Sequence, residues 1–275
     1  MGAQVQDKVY WHAAFFEALQ LELHQYLDSL TFLEEHPLSK EALIIDVLVI
    51  KKARGAKIKK NFGDVFLGHN LFEFKSENDS LTVRDYNKVM GYAYLYASFT
   101  PAEVSDITVS FAVTKHPREL LAHLKNERLL DIIDTKDGIY RIEGETFPIQ
   151  ILEIKKMPKR ENLFLKSLRS SLDAEDAKEI AEAYKGLKPF ERRNVYLDRL
   201  FQANRDAFRE AIIMSEATKE IILEVAEEQG WLTEIFLKKK KEAIREIAKG
   251  FKQDNVSMHI IEKNTGFTVR EIETL

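Results

Sequence analysis

The run Ala42-Leu43-Ile44-Ile45-Asp46-Val47-Leu48-Val49-Ile50 places eight aliphatic residues around a single carboxylate. An unbroken apolar stretch of this length, rich in β-branched residues, reads as a strand buried on both faces. Such a strand needs helices over each side of its sheet, so the chain is expected to be α/β. Asp46 sits at the centre of that run. An unpaired buried carboxylate is too costly to keep ionised, so Asp46 must meet a cation, hydrogen bonds or a metal.

A second apolar run, Leu71-Phe72-Glu73-Phe74-Lys75, carries two more charges. Side chains alternate along a strand, so Glu73 and Lys75 share one side, with Phe72 and Phe74 on the other. If the two strands are neighbours, Asp46 and Glu73 converge on one hard divalent cation such as Mg²⁺, which takes oxygen ligands. Lys75 then stands beside it, able to orient a water and offset charge on a phosphate. Two plainer readings stay open. Asp46 can be one half of a buried ion pair, and Glu73 with Lys75 can be an ordinary i,i+2 pair at a sheet edge.

Residues 10–30 repeat apolar side chains at a helical period through Phe16, Leu19, Leu23, Tyr26, Leu27 and Leu30. On that wheel Glu22 lies against the apolar stripe and Glu17 points further round, towards solvent. Leu81–Phe99 reads as an aromatic-rich helix opened by Thr82 and Asp85, a capping-box spacing with Asp in place of Glu. Strands are expected at 106–113 and in the two segments Gly138–Gly144 and Phe147–Lys156, with a short helix between at Pro117–Glu127. After Pro158 only amphipathic helices remain, so the expected domains are 1–158, an α/β core, and 159–275, all helical. The tail Ser257–Leu275 reads as two short helices around an Asn-Thr-Gly-Phe turn.

The chain has 275 residues, 45% hydrophobic and 31% charged, ample for a sizeable core. It has no cysteine, which excludes disulfides, thiolate zinc sites and thiol nucleophiles. No run reads as a signal peptide or reaches membrane-spanning length, so a cytoplasmic protein without a membrane partner is expected. The formal net charge of −4 lacks the basic footprint of a nucleic-acid packaging protein. Lysine clusters at 51–60, 155–160 and 238–241 read as solvated faces when taken alone.

The acid in one strand followed by Glu73-Phe74-Lys75 in the next resembles the PD-(D/E)XK nuclease superfamily. Longer phrases, "WHAAFFEALQLEL", "HPLSKEALIIDVLVIKK", "HNLFEFKSENDSLTVRDYNKVMGYAYLY" and "IIEKNTGFTVREIETL", are similar to the recombination-promoting nuclease (Rpn) and PD-(D/E)XK transposase-like proteins. The resemblance covers most of residues 10–156 and the last twenty or so. It implies a restriction-endonuclease-like mixed sheet flanked by helices. It also implies Mg²⁺-dependent cleavage of DNA, linked to recombination or transposition, with Mn²⁺ as a substitute. Asp46, Glu73, the Phe74 carbonyl and Glu22 would hold the metal. Lys75 would be the catalytic lysine, and Lys88 and Tyr92 would reach DNA. Ile45 stands where the motif often has proline.

Beside that reading, Glu22 can equally bridge to Lys51 or Lys75, and Lys88 and Tyr92 can be ordinary amphipathic-helix residues. A nuclease fold that binds DNA or protein without cutting is the alternative function. The helical region is a candidate homodimer or partner surface. Glu153-Ile154-Lys155 repeats the acid-any-lysine spacing, but it reads as a solvated strand end. The seven histidines show no metal-binding spacing among themselves.

Overall fold

The computed structural model describes residues 11–33, 48–187, 193–229, 244–253 and 256–274. Asp46 lies outside them. The chain divides into two compact units, residues 1–218 and 219–275. Among the described residues no helix is long and apolar enough to cross a membrane.

The first unit is built on a seven-stranded mixed sheet, as the buried apolar runs require. Its strands are β1 (Leu30–Leu33), β2 (Leu48–Lys52), β3 (His69–Lys75), β4 (Ile107–Val113), β5 (Asp131–Asp134), β6 (Ile139–Glu143) and β7 (Ile149–Glu153). Their order across the sheet is β1-β2-β3-β4-β7-β6-β5. The central strands β3, β4 and β7 run parallel; the outer pairings are antiparallel.

The β3–β4 crossover is α2 (Val83–Phe99), and α3 (Arg118–Asn126) follows β4. Both cover the face that carries Leu71, Val109, Phe111, Val113 and Ile151, in a core that includes Tyr86, Val89, Leu120 and Leu124. On the opposite face Phe15 of α1 (Trp11–Glu22) stacks on Phe74, with ring centroids 4.6 Å apart. Phe62 and Phe66, from the connection between β2 and β3, close over Phe72. That face also buries a polar ladder: Thr108 donates to Asn70, and Gln150 donates to Ser110 and to the Phe62 carbonyl. Every side-chain polar atom in such a ladder needs a partner, and the loop backbone supplies one.

The change of character at 158/159 is not where compact units divide. Helices α4 (Leu163–Lys166), α5 (Ala174–Lys185), α6 (Arg193–Ala203) and α7 (Arg205–Met214) belong to the same unit as the sheet, and α8 (Glu216–Gln229) begins at its end. The joint is α1 itself. Glu17, expected towards solvent, is completely buried; it accepts from the Tyr196 N–H at 2.6 Å and the Tyr184 hydroxyl at 3.1 Å. α1 is therefore apolar towards the sheet and carboxylate-bearing towards the helices.

In the second unit the helix that includes 244–253 (α9), α10 (Met258–Thr265) and α11 (Val269–Glu273) meet around Ala248, Ile261, Phe267 and Ile272. Gly266 ends α10 with φ of 74°, a left-handed cap that glycine adopts without strain. Thr268 and Glu271 then form a capping box on α11. The two short helices around the Asn-Thr-Gly-Phe turn are as the sequence implies.

Candidate active site at the carboxyl ends of the parallel strands

β3 delivers Glu73 and Lys75 to the α2 side of the sheet. The register pairs Glu73 with Phe111, whose ring stacks on Tyr86 of α2, and Lys75 with Val113. Phe74 faces the other way against Phe15, so any role it has at this site falls to its backbone. The open end of a parallel sheet, beyond the strands' carboxyl termini, is where α/β folds place ligands.

Lys75 Nζ lies 3.1 Å from Glu73 Oε1 and 3.0 Å from Asp85 Oδ1. Asp85 comes from the first turn of α2, where its other oxygen accepts from the Thr82 hydroxyl at 2.6 Å and backbone N–H at 3.0 Å. The cap anticipated from sequence is present, and the same residue reaches the lysine. Asp85 was legible as a cap but not as a site residue. The missed signal was topological: the helix after a parallel strand starts over that strand's carboxyl end, so a first-turn acid hangs above its last residue.

Glu73 is 4% exposed, and its Oε2 has no hydrogen-bond partner among the described residues. Burial pushes its carboxyl above the usual range, against the opposing pull of Lys75, Lys88 and His12. Burial alone would lower the Lys75 ammonium, but its bonds to Asp85 and Glu73 outweigh that and hold it above the ordinary lysine value. Asp85 is held below the usual carboxylate range, because the Thr82 and Lys75 bonds exceed its desolvation. Lys75 therefore stays a cation at neutral pH, and Glu73 is the strained member.

Lys88, one turn along α2 from Asp85, contributes positive charge near Glu73 and lies 5.3 Å from the centre of the Tyr92 ring. Tyr92 is half-buried and packs against the α2-side core. Glu22 is differently employed. Its Oε1 accepts the N–H groups of Phe164 at 2.6 Å and Leu165 at 3.1 Å, and Lys60 donates to Oε2 at 2.6 Å. Both oxygens are engaged, the first at the amino end of α4, where backbone N–H groups have no helical partner. The cationic partner is Lys60, which was neither of the lysines considered from sequence. Burial still raises the Glu22 carboxyl above its usual value, with Lys60 and the two N–H groups opposing.

Among the described residues no group of three or more His, Asp or Glu side chains is placed to hold a metal. The described β2–β3 ladder ends at the Leu48–Phe72 pair, two residues short of Asp46. Glu73, with its unpartnered oxygen, is the described residue that suits a hard cation.

Glu153 also departs from expectation. It is 6% exposed rather than a solvated strand end. Its Oε2 accepts from His116 Nδ1 at 2.8 Å, Lys156 Nζ at 2.9 Å and the Tyr140 hydroxyl at 3.0 Å. Those donors outweigh its desolvation and hold its carboxyl below the usual range. Val113 pairs with both Lys75 and Glu153, so the two charged residues lie on one face, two strands apart.

Comparison with protein-family models, curated proteins and solved structures returns no match.

Proposed function

We propose that the chain is a divalent-metal-dependent endonuclease that hydrolyses DNA phosphodiesters, with Glu73 and Asp46 as metal ligands and Lys75 as the catalytic lysine. One observation supports it above the others: a buried Glu73 oxygen without a partner, beside an ammonium anchored by a second acid. An orphaned buried carboxylate oxygen costs about 1–3 kcal/mol or more, and a bound cation removes that cost. A magnesium or manganese ion here would draw charge from a phosphate and ease ionisation of water.

The chain's own residues supply the rest. Lys75, fixed by Asp85, presents a positive charge that neither swings away nor loses its proton near neutrality. It favours the extra negative charge of a pentacoordinate phosphate and orients the incoming water. Lys88 adds long-range attraction for the nucleic-acid backbone, and Tyr92 braces it. The resemblance in sequence points to DNA and to recombination or transposition.

Plasmid nicking with Mg²⁺ tests this. Wild type should cut, whereas Asp46→Ala and Lys75→Ala should not; equal cleavage by all three ends the assignment. A second reading, a nuclease fold that binds without cutting, is favoured by one feature: Lys75 already has two internal carboxylate partners. Calorimetry with Mn²⁺ separates the two, since a site closed by its own ion pairs takes up no metal.

A further inference from the structure

The Glu153 cluster is not used by that chemistry, yet it opens at the same end of the same sheet face. His116 follows β4, and its ring nitrogen Nδ1 is committed to Glu153 at 2.8 Å. Its side chain is 39% exposed, and Nε2 has no partner among the described residues. Glu153 already has a charge partner in Lys156 and a hydrogen bond from Tyr140, so neutralisation does not require the histidine. What His116 gains is orientation: a buried carboxylate on one ring nitrogen fixes the tautomer and aims the other outward. Tyr140 flanks the ring at a centroid distance of 5.5 Å.

Lys75, Val113 and Glu153 are aligned across adjacent strands. Strands lie about 4.8 Å apart, so the Lys75 and Glu153 backbones are about 10 Å apart, with the His116 loop rising from the strand between them. A phosphodiester lying against Lys75 thus extends towards the imidazole.

We propose that His116 is the general acid that protonates the departing sugar oxygen, and that Glu153 is its positioning residue. The proposal rests on the nuclease reading. In the step, water adds to phosphorus and releases a proton to solvent. The bond from phosphorus to the departing oxygen breaks with its electron pair, and that oxygen takes the proton from His116 Nε2. The neutral imidazole regains a proton from solvent.

The experiment compares supercoiled DNA with thymidine 5′-(p-nitrophenyl phosphate), whose nitrophenolate departs without protonation, for wild type and the variants His116→Gln, His116→Asn and Lys75→Ala. Asn can still donate to Glu153 from the Nδ1 position, so His116→Asn keeps the cluster tied while removing the acid. Loss of general-acid catalysis costs about 10²–10⁴-fold. Both His116 variants should lose that much on DNA while the nitrophenyl ester is cut nearly as fast as by wild type. Equal losses on the two substrates, or undiminished DNA cleavage, overturn the assignment. Lys75→Ala should slow both. If wild type cuts neither substrate, the nuclease reading itself fails and takes this role with it.

Discussion

Glu22 accepts the backbone N–H of Phe164 at 2.6 Å across 142 positions of chain. That bond, with Leu165 and Lys60 on the same carboxylate, clips the helical layer to α1. Glu22→Ala leaves the buried N–H groups of Phe164 and Leu165 without an acceptor and Lys60 with only the Glu161 carbonyl, a loss of about 3 kcal/mol. Glu22→Gln keeps an oxygen for the N–H groups and should lose clearly less. Urea denaturation midpoints check the order. Calorimetric uptake of Mn²⁺ should survive in Glu22→Gln, because this carboxylate is occupied by the fold; loss of uptake would restore it to the metal set.

Glu73→Gln should separate stability from function. The Glu73 carboxyl is raised by burial, so the folded state disfavours its charge. Its penalty is absent below the ordinary carboxylate range and grows as pH rises through the elevated value. At neutral pH the Gln variant is therefore expected to melt no lower than wild type, and to gain relative stability as pH rises from about 4 to neutrality. Metal uptake and DNA cleavage should be lost in the same variant.

Glu153 predicts the opposite sign. Its carboxyl is held low by Lys156, His116 and Tyr140 despite desolvation. The stability it contributes is present above the unfolded value of about 4.3 and disappears as pH falls through the depressed folded value. Thermal unfolding of wild type should weaken over that acid window, and Glu153→Gln should flatten the curve there. Nitrogen-15 NMR adds a check on geometry: neutral His116 should carry its proton on Nδ1.

Leu129 offers a stability gain. It has φ of 55° and is 82% exposed, just beyond α3, in the left-handed region that costs a branched residue about 1–2 kcal/mol. Leu129→Gly relieves that strain at some entropic cost in the unfolded chain, and should raise the unfolding midpoint modestly.

Local signals were the legible ones. The alternation in Leu71–Lys75 correctly put Glu73 and Lys75 on one face, because strand pleat depends on nothing distant. Thr82 and Asp85 announced the start of α2 for the same reason. Glu17 misled because its burial comes from Tyr184 and Tyr196, far along the chain, covering a face of α1 that no periodicity in α1 reveals. Glu153 misled likewise: its partners arrive from the loop after β4, from β6 and from the turn after β7. β1 and β5 escaped notice because each is a four-residue edge strand with weak alternation, and β5 carries an Asp at each end. Asp46, the first residue to attract attention, falls outside the described residues, so the acid pair rests on sequence at one end and geometry at the other.

Asp85 serves two masters. One oxygen starts α2 through Thr82, while the other restrains the ammonium of Lys75. A substitution meant only to weaken the helix start would also let the lysine drift, and one aimed at the lysine would fray the helix. Evolutionary change at this position is thus doubly taxed, and the carboxyl edge of the sheet acquires its shape in the same event that winds the helix above it.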